Sequence, residues 1–511
     1  MQMKKSRVVL GCLIFLLLLA TVWAGFNYWK QREAELEIAV EDPDGESLTL
    51  SQLFNTSGRL GKDYRGAVPL KPAFLQAPPQ PIIVPPGLSC YAAKDELRAY
   101  FTYQMVFEAL KKNTRPAEIA YLDCFVPGGS MQPDVLAVRE KFLSGSFDAD
   151  VMYSYLNYAA SVVITQTIQQ GDLRHGKLAW ASGHLGSVAL TAYERTGQIR
   201  FVTFYLGYFE KLMALRDSVL LLNDEFHGRV MDAWGSANLG RNSGDPSIWV
   251  AHVTHFSVIM VPATGFALRI QTDPALAAYR PQAKQIIAFF DTSYPQFDVD
   301  LRQPEGTSEK WYWRPLIDQY EATNHLHVQG EALLNMYLAT GNPVYADRIR
   351  AILRIFAKGV KIDEKGFASW NYNPYFQTDE AMGNHNGREQ SEFVWKGGLT
   401  IPFLYKAKKA GFEVDAALMT ALTHTVRDWV VADNTYKRNV NPKNSGPINA
   451  RRSRLDSAGP AASITGFLQA ADADPAIAER IRQMVATRLD LFPDGWFASD
   501  KMARGYAYFL N

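Results

Sequence analysis

Five times along this 511-residue chain a long apolar stretch ends in a short breaker and restarts as a second helical stretch. The breakers are Thr196-Gly197, Thr272-Asp273-Pro274, Thr340-Gly341-Asn342-Pro343, Gly411 and Asp472-Ala473-Asp474-Pro475. They recur about every 60 to 80 residues, the length of one helical hairpin plus a long loop. The link inside each hairpin is minimal. The link to the next is long and rich in His, Trp, Arg and carboxylates. Such asymmetry predicts a ring of helical hairpins with one tight face and one loop-rich face, and function belongs on the loop-rich face.

Periodicity and punctuation place helices near 93–112, 134–144, 149–170, 178–195, 199–222, 248–270, 275–292, 316–339, 343–358, 388–409, 414–432, 457–471 and 474–490. Asp273-Pro274, Asn342-Pro343 and Asp474-Pro475 each set a capping side chain before a proline at the first helical position, where the missing N–H costs nothing. Gly197, Gly341 and Gly411 follow apolar helices, where a left-handed residue is commonly needed. In 343–358 the residues Val344, Ile349, Ile352, Leu353 and Phe356 form one stripe opposite Asp347, Arg348 and Arg350, as in an outer helix. Leu326–Leu338 and Phe393–Leu404 are apolar or small on most sides, as in inner helices. Each hairpin therefore runs inner helix, short turn, outer helix. Strand text is sparse, with Ile82–Val84 and Phe367–Trp370 the best stretches.

The chain divides into 1–30, 31–90 and 91–511. Lys4, Lys5 and Arg7 precede an apolar run from Val8 to about Phe26, followed by Tyr28, Trp29, Lys30 and Arg32. That run is long enough to span a bilayer, with the positive charge on the cytoplasmic side. It reads as a retained single-pass anchor in the cytoplasmic membrane, with a cleavable signal peptide ending near Ala24-Gly25 as the rival. Either reading puts the globular part in the periplasm or outside. Residues 31–90 read as a polar stalk with room for one short helix, then a Pro-rich extended stretch. Cys90 and Cys124 are a disulfide pair or two separate thiols. With 53 Lys+Arg against 52 Asp+Glu, the basic excess of a nucleic-acid binder is missing. No glycine cluster of the phosphate-binding kind follows a strand, and no nucleotide or redox cofactor is expected.

The hairpin order fixes a direction. Short turns follow the C-termini of inner helices, so the long loops feed their N-termini. Those N-termini carry His184; His252 and His255; Glu321, Asn324, His325 and His327; Arg388, Glu389 and Glu392; and Arg454 and Asp456. Free N–H groups and helix dipoles favour anionic groups there. The feeding loops add Asp224, Trp311, Trp313, Trp370, Tyr372, Tyr375, His385 and Arg451. One shared cleft is the economical account. Trp311, Trp313 and Trp370 suit sugar rings, whose C–H faces pack on flat apolar surfaces. His252 and His255 sit one helical turn apart as metal ligands can, but no third ligand is marked, and no metal is expected.

The hairpin repeat, the helix start Glu321-Ala322-Thr323-Asn324-His325 and the segment His385-Asn386-Gly387-Arg388 resemble the helical (α/α) toroid polysaccharide enzymes. The alginate and heparin lyases are nearest, and the uronyl epimerases share the architecture. The resemblance implies an all-α fold of the six-hairpin-glycosidase kind and an acidic polysaccharide as partner. It further implies that Asn324 holds a uronate carboxyl, His325 is the base, Tyr372 or Tyr375 is the acid, and Arg388 or Arg451 clamps a sugar carboxylate. Glu321 and His385 join the catalytic candidates. Arg388, Glu392, Trp311, Trp313, Trp370, Arg451, Asp224, His255 and Asp456 are the substrate-binding candidates.

Two other readings stand beside a lyase. Inverting hydrolysis needs two carboxyl groups about 6.5 to 9.5 Å apart, and Glu321, Glu389, Glu392, Asp224 and Asp456 are available. A non-catalytic scaffold or glycan-binding subunit of an envelope assembly needs neither chemistry, since one fold hosts many functions.

Overall fold

The computed structural model describes residues 40–41, 47–48, 144–169, 176–237, 248–314, 316, 319–374, 391–432, 437, 439–442, 464–487 and 500–510. The N-terminal apolar run, the Pro-rich stretch, Cys90, Cys124, Ile82–Val84, the helix expected at 93–112 and most of that at 134–144 lie outside them. In the region read as a stalk with one short helix, β1 (Val40–Glu41) pairs antiparallel with β2 (Ser47–Leu48) instead.

Among the described residues the longer helices are α1 (Ala149–Gln169), α2 (Lys177–Thr196), α3 (Ile199–Ala214), α4 (Val253–Thr272), α5 (Arg280–Ser293), α6 (Thr323–Thr340), α7 (Pro343–Gly359), α8 (Val394–Lys409), α9 (Ala416–Thr425), α10 (Ala476–Thr487) and α11 (Asp500–Tyr508), with a single turn at Asp217–Leu220. A 3₁₀ segment, Ile464–Asp472, takes the place of an inner helix before α10. Packing follows a closed circuit: α2 on α4, α4 on α6, α6 on α8, α8 on Ile464–Asp472, that segment on α11, and α11 back on α2. The outer layer is α3 on α2, α5 on α4, α7 on α6 and α10 on the 3₁₀ segment. The result is an all-α ring of hairpins.

Local chemistry explains the hairpins. Gly197 and Gly341 end α2 and α6 with φ of 64° and 70°, a conformation that suits glycine. Asp273 accepts a hydrogen bond from the Ala275 N–H, and Asn342 from that of Val344, each with proline next in line. In α7 Tyr345, Ala346, Ile349, Ile352, Leu353, Ile355 and Phe356 are buried. Val344, placed on that stripe from the sequence, is 54% exposed, because it sits in the first turn beyond the reach of α6. By contrast α4 and α6 are buried almost all round. α4 is long and apolar enough to cross a membrane, yet 89% of its apolar window is buried within the protein, as for a core helix.

Inner helices approach closely where side chains vanish. A Cβ on Gly466 would lie 2.6 Å from the Gly398 backbone, so both segments meet only because neither carries a side chain there. The ring is shut by its ends. Tyr506 of α11 accepts a hydrogen bond from the Asp148 N–H at 2.8 Å, and its ring meets Phe147 edge-on. Arg195 of α2 lies 5.0 Å over the Tyr508 ring.

The long loops form short β pairs along one face. β3 (Gly235–Ser236) pairs with β4 (Val250–Ala251), and β5 (Leu301–Arg302), β6 (Trp311–Arg314) and β7 (Gln319–Tyr320) form a small sheet in that order. β8 (Lys361–Ile362) and β9 (Ala368–Ser369) make a hairpin where strand text was read at 367–370. Isolated bridges join Asn371 to Ser391 and Phe393 to Asn439.

Candidate functional site

The inner helices α4, α6 and α8 are each entered through one of these β pairs or bridges, and the polar side chains sit at the junction. Ala251 of β4 is followed by His252, the N-cap of α4. β7 is followed by Glu321 and then α6. Glu392 and Phe393 precede α8. Backbone bonds fix the junctions: the Thr323 N–H donates to the Tyr372 carbonyl at 2.8 Å, and the Glu392 N–H to that of Trp370 at 2.9 Å.

Glu321 is the hub. It is fully buried. His252 donates from Nε2 to its Oε1, and His325 from Nδ1 to its Oε2 at 2.7 Å. The Arg314 guanidinium lies 3.9 Å away. Burial alone would push the Glu321 carboxyl up, but the two imidazoles outweigh it and hold the group well below the usual carboxylate range. Glu321 is therefore the ionised member. Burial lowers His325, with the pull of Glu321 opposing, so its imidazole is neutral near pH 7. With Nδ1–H committed to Glu321, Nε2 carries the lone pair. This is the arrangement of an oriented general base.

Five side chains of the cluster are partly exposed: Trp180, His184, His325, Tyr372 and Lys396. The Trp180 indole lies 6.1 Å from the His184 ring and 5.7 Å from that of His325. The Tyr372 ring is 6.3 Å from His325 on another side, and Lys396 Nζ stands 3.3 Å over its centroid. Burial raises the Tyr372 phenol to about 12, with Arg314 opposing. Behind this layer Glu392 is fully buried, and neither carboxyl oxygen has a hydrogen-bond partner of ordinary geometry among the described residues. Burial pushes Glu392 up to about 8 and Lys396 down to about 8, against their mutual attraction.

The ring thus gathers Glu321, His325, Tyr372, Glu392 and His255 at one end, as the hairpin order requires. Other candidates need correcting. Trp311 and Trp370 are 1% and 3% exposed; the Trp311 indole donates to the Glu321 carbonyl at 2.8 Å, and Trp370 packs edge-on to Phe356. They are core side chains holding the junctions, not sugar platforms. Asp224 is fully buried, accepting from the Ala251 N–H and from His227 at 2.7 Å each, which ties it to the loop rather than to a ligand. His255 is 2% exposed, pushed to about 3 by burial and covered by Gly176, so it packs behind the cluster. Asn324 is 2% exposed, with its side-chain oxygen unpartnered among the described residues. Trp313 is partly exposed and lies 3.5 Å beneath the Arg302 guanidinium. Tyr375, His385, Arg388, Arg451 and Asp456 lie outside the described residues.

Sequence reasoning missed Trp180 and Lys396 as members of the cluster; Arg314 reads from the sequence as one of the loop residues feeding the rim. Trp180 lies one helical turn before His184 in α2. That i,i+4 spacing was the available signal. Among the described residues no group of three or more His, Cys, Asp or Glu side chains could hold a metal ion.

No protein-family model matches this sequence, and no curated protein does. Several solved structures are similar to it. A GH76A α-1,6-mannanase from Salegentibacter sp. HEL1_6 shares 10% identity over 65% of this chain and 88% of its own, with a TM-score of 0.37. A polysaccharide lyase shares 12% over 70% of this chain and 96% of its own, also at 0.37. A sugar epimerase from a ruminal bacterium shares 13% over 61% and 75%, again at 0.37. At such identities and TM-scores, function has to be read from the site's own side chains.

Proposed function

We propose that the protein is a carbohydrate-active enzyme that cleaves an acidic, uronate-containing glycan by β-elimination. The observation that carries this reading is the Glu321–His325 pair: a buried, ionised carboxylate bonded to Nδ1 of a partly exposed, neutral imidazole. His325 Nε2 takes the C5 proton of the uronate. The C5–H electrons form the C4=C5 double bond, and the C4–O glycosidic bond breaks. Tyr372 gives its phenolic proton to the departing oxygen. Trp180, partly exposed beside His325, offers an apolar face for the sugar ring.

The test is a panel of uronate-containing and neutral polysaccharides incubated with protein lacking the N-terminal apolar run. The expected product is an unsaturated sugar end that absorbs in the ultraviolet, formed only from acidic glycans and abolished in His325→Ala. Products without that absorbance but with new reducing ends would instead favour hydrolysis. One observation supports that second reading: Tyr372 lies within the influence of both Glu392, raised to about 8 by burial, and Glu321, held ionised, so an acid and a carboxylate share its surroundings. An inert protein, indifferent to His325→Ala, would favour a binding or scaffold role.

On the same reading, residues Val8 to about Phe26 tether the enzyme to the outer face of the cytoplasmic membrane. Membrane fractionation with and without residues 1–30 checks this. Release of the intact chain into the soluble fraction would overturn it.

A further inference from the structure

The axis of the ring carries charge of its own, below the mouth. In the packing circuit α6 and α11 stand opposite each other, with α8 and the 3₁₀ segment between them on one side and α4 and α2 on the other. A side chain of α11 therefore meets one of α6 only across the axis. Arg504 of α11 does so: its charge acts on Glu331 of α6, whose carboxylate also accepts from Lys406 Nζ of α8 at 2.5 Å. Burial alone would raise the Glu331 carboxyl, but Lys406 and Arg504 outweigh it and hold the group below the ordinary carboxylate range. One ionised carboxylate thus stands among two cationic side chains. No hydrogen bond holds the Arg504 guanidinium among the described residues. A buried ion pair is a poor device for stability alone, and a second cation beside it adds a cost that an incoming anion offsets.

α2 lines the same space. Trp180, His184, Ser187 and Thr191 recur every three or four residues along it, and all are partly exposed. Ser182, on the other side of α2, bonds Tyr208 of the outer helix α3 at 2.8 Å, so the stripe faces away from the outer layer and toward the axis. It starts beside His325 and runs about 16 Å inward. Lys406 and Arg504 are partly exposed as well. Ser187 and Thr191 donate their hydroxyls to carbonyls of α2 at 2.9 Å, which leaves their oxygens to accept from sugar hydroxyls.

We propose that this axis is a second subsite, in which Arg504 and Lys406 bind the carboxylate of a sugar unit deeper than the one at His325, so that the glycan enters the ring end-on. The inference rests on the acidic-glycan reading and deepens it with a second carboxylate site and a direction of entry. Glu331 follows His325 in α6 at about 9 Å along the axis, so mouth and axis engage different units of one chain.

The test measures binding of a triuronate, and of the same trisaccharide with its carboxyls reduced to alcohols, to the full-length His325→Ala protein by calorimetry. Adding Arg504→Gln should weaken the triuronate about 10- to 100-fold, the range for losing one charged hydrogen bond. The reduced sugar should change by less than about threefold. Arg504→Lys should recover part of the loss. Ser187→Leu, which narrows the shaft from α2 without touching either cation, should weaken both sugars. Thermal melting separates these losses from misfolding. Equal triuronate affinity with and without Arg504, equal losses on the two sugars, or indifference to Ser187→Leu would overturn the inference. On a long polyuronate the wild type should release short fragments while viscosity falls slowly. An immediate collapse of viscosity would show internal cutting and sink end-on entry.

The elimination reading fails differently. A wild type that forms no unsaturated product, yet binds the triuronate through Arg504, would overturn elimination and leave the subsite standing. One that forms the product, with Arg504→Gln binding as tightly as its parent, would do the reverse.

Discussion

The two ends of the ring are built from the same helices and handle charge in opposite ways. At the tight end, turns of a few residues join inner to outer helices through Gly197, Asp273, Gly341 and Asn342. Asp273 and Asn342 each cap their own turn, and Asp273 also accepts from the Tyr193 hydroxyl at 2.5 Å. Ion pairs lie in the open: Arg269 bonds Glu194 at 2.8 Å with side chains 48% and 32% exposed. Such pairs contribute about 0 to 1 kcal/mol. At the mouth, Glu321 is fully buried and bonded by His252 from the start of α4 and His325 from the first turn of α6, with Arg314 of β6 3.9 Å away. Removing a partner there leaves groups that water cannot reach. The difference follows from loop length. A short turn caps itself and reaches at most a neighbouring turn, as Asp273 does with Tyr193, whereas a long loop can carry a side chain into the ring's interior.

The largest expected effect tests that contrast directly. Glu321→Gln keeps the shape but cannot fix both imidazoles as hydrogen-bond donors. Activity should fall about 10³- to 10⁴-fold, as when an orienting carboxylate beside a catalytic histidine is neutralised. Asp273→Asn, the matching acid-to-amide change at the tight end, should leave activity unchanged. Product formation under saturating substrate measures both. Comparable losses in the two variants would erase the functional distinction between the ends.

The next effect concerns how the mouth is kept in place. His227 bonds Asp224 at 2.7 Å through Nδ1 and Asp300 at 3.1 Å through Nε2, and its side chain is only 4% exposed. Burial alone would lower its pKa, but the two carboxylates outweigh that and raise it from 6.5 to about 9. The sign follows from the raised value. The protonated imidazolium stabilises the fold fully below about pH 6.5, and that contribution is lost as pH rises through about 9. The whole amount is on the order of 3 kcal/mol. Because Asp224 also holds the Ala251 N–H, next to His252, the loss should loosen the mouth before the tight end. Denaturant unfolding from pH 6 to 10 should show declining stability in wild type and a flat profile in His227→Gln. A parallel decline in both would remove this latch from the account.

How much of this was legible beforehand divides along the same line. The tight end was readable, because capping residues and left-handed glycines act within a few positions. The helix expected at 343–358 is Pro343–Gly359, and that at 178–195 is Lys177–Thr196. The mouth end was readable only in outline. Helices expected from 248, 316 and 388 begin at Val253, Thr323 and Val394. The residues before them form short β pairs whose partners are distant in sequence, and local periodicity carries no record of those. The same reason hid the partner of Arg314, a loop residue that reaches Glu321 from β6. It also made Trp311 and Trp370 look like exposed platforms, when their rings fill the space behind the junctions. The closing helix Asp500–Tyr508 was missed altogether. Its partners α2 and α1 lie at the other end of the described ring.

The smallest effect sharpens the comparison from the tight side. The Asn342 side chain accepts from the Val344 N–H at 3.0 Å and starts α7, an outer helix held by one buried face. Asn342→Ala removes the cap and leaves Pro343 and the αL turn at Gly341 in place. The expected cost is about 1 kcal/mol, which lowers Tm by about 2 °C or less in a ring this large. Activity should not change, because the inner helix α6 presents His325 at its opposite end, some 17 residues away along the chain and about 25 Å along the axis. A scan of Tm and kcat on the same preparation checks both halves. Loss of activity without loss of stability would mean that strain passes through α6 to the mouth, and the two ends would no longer be separable.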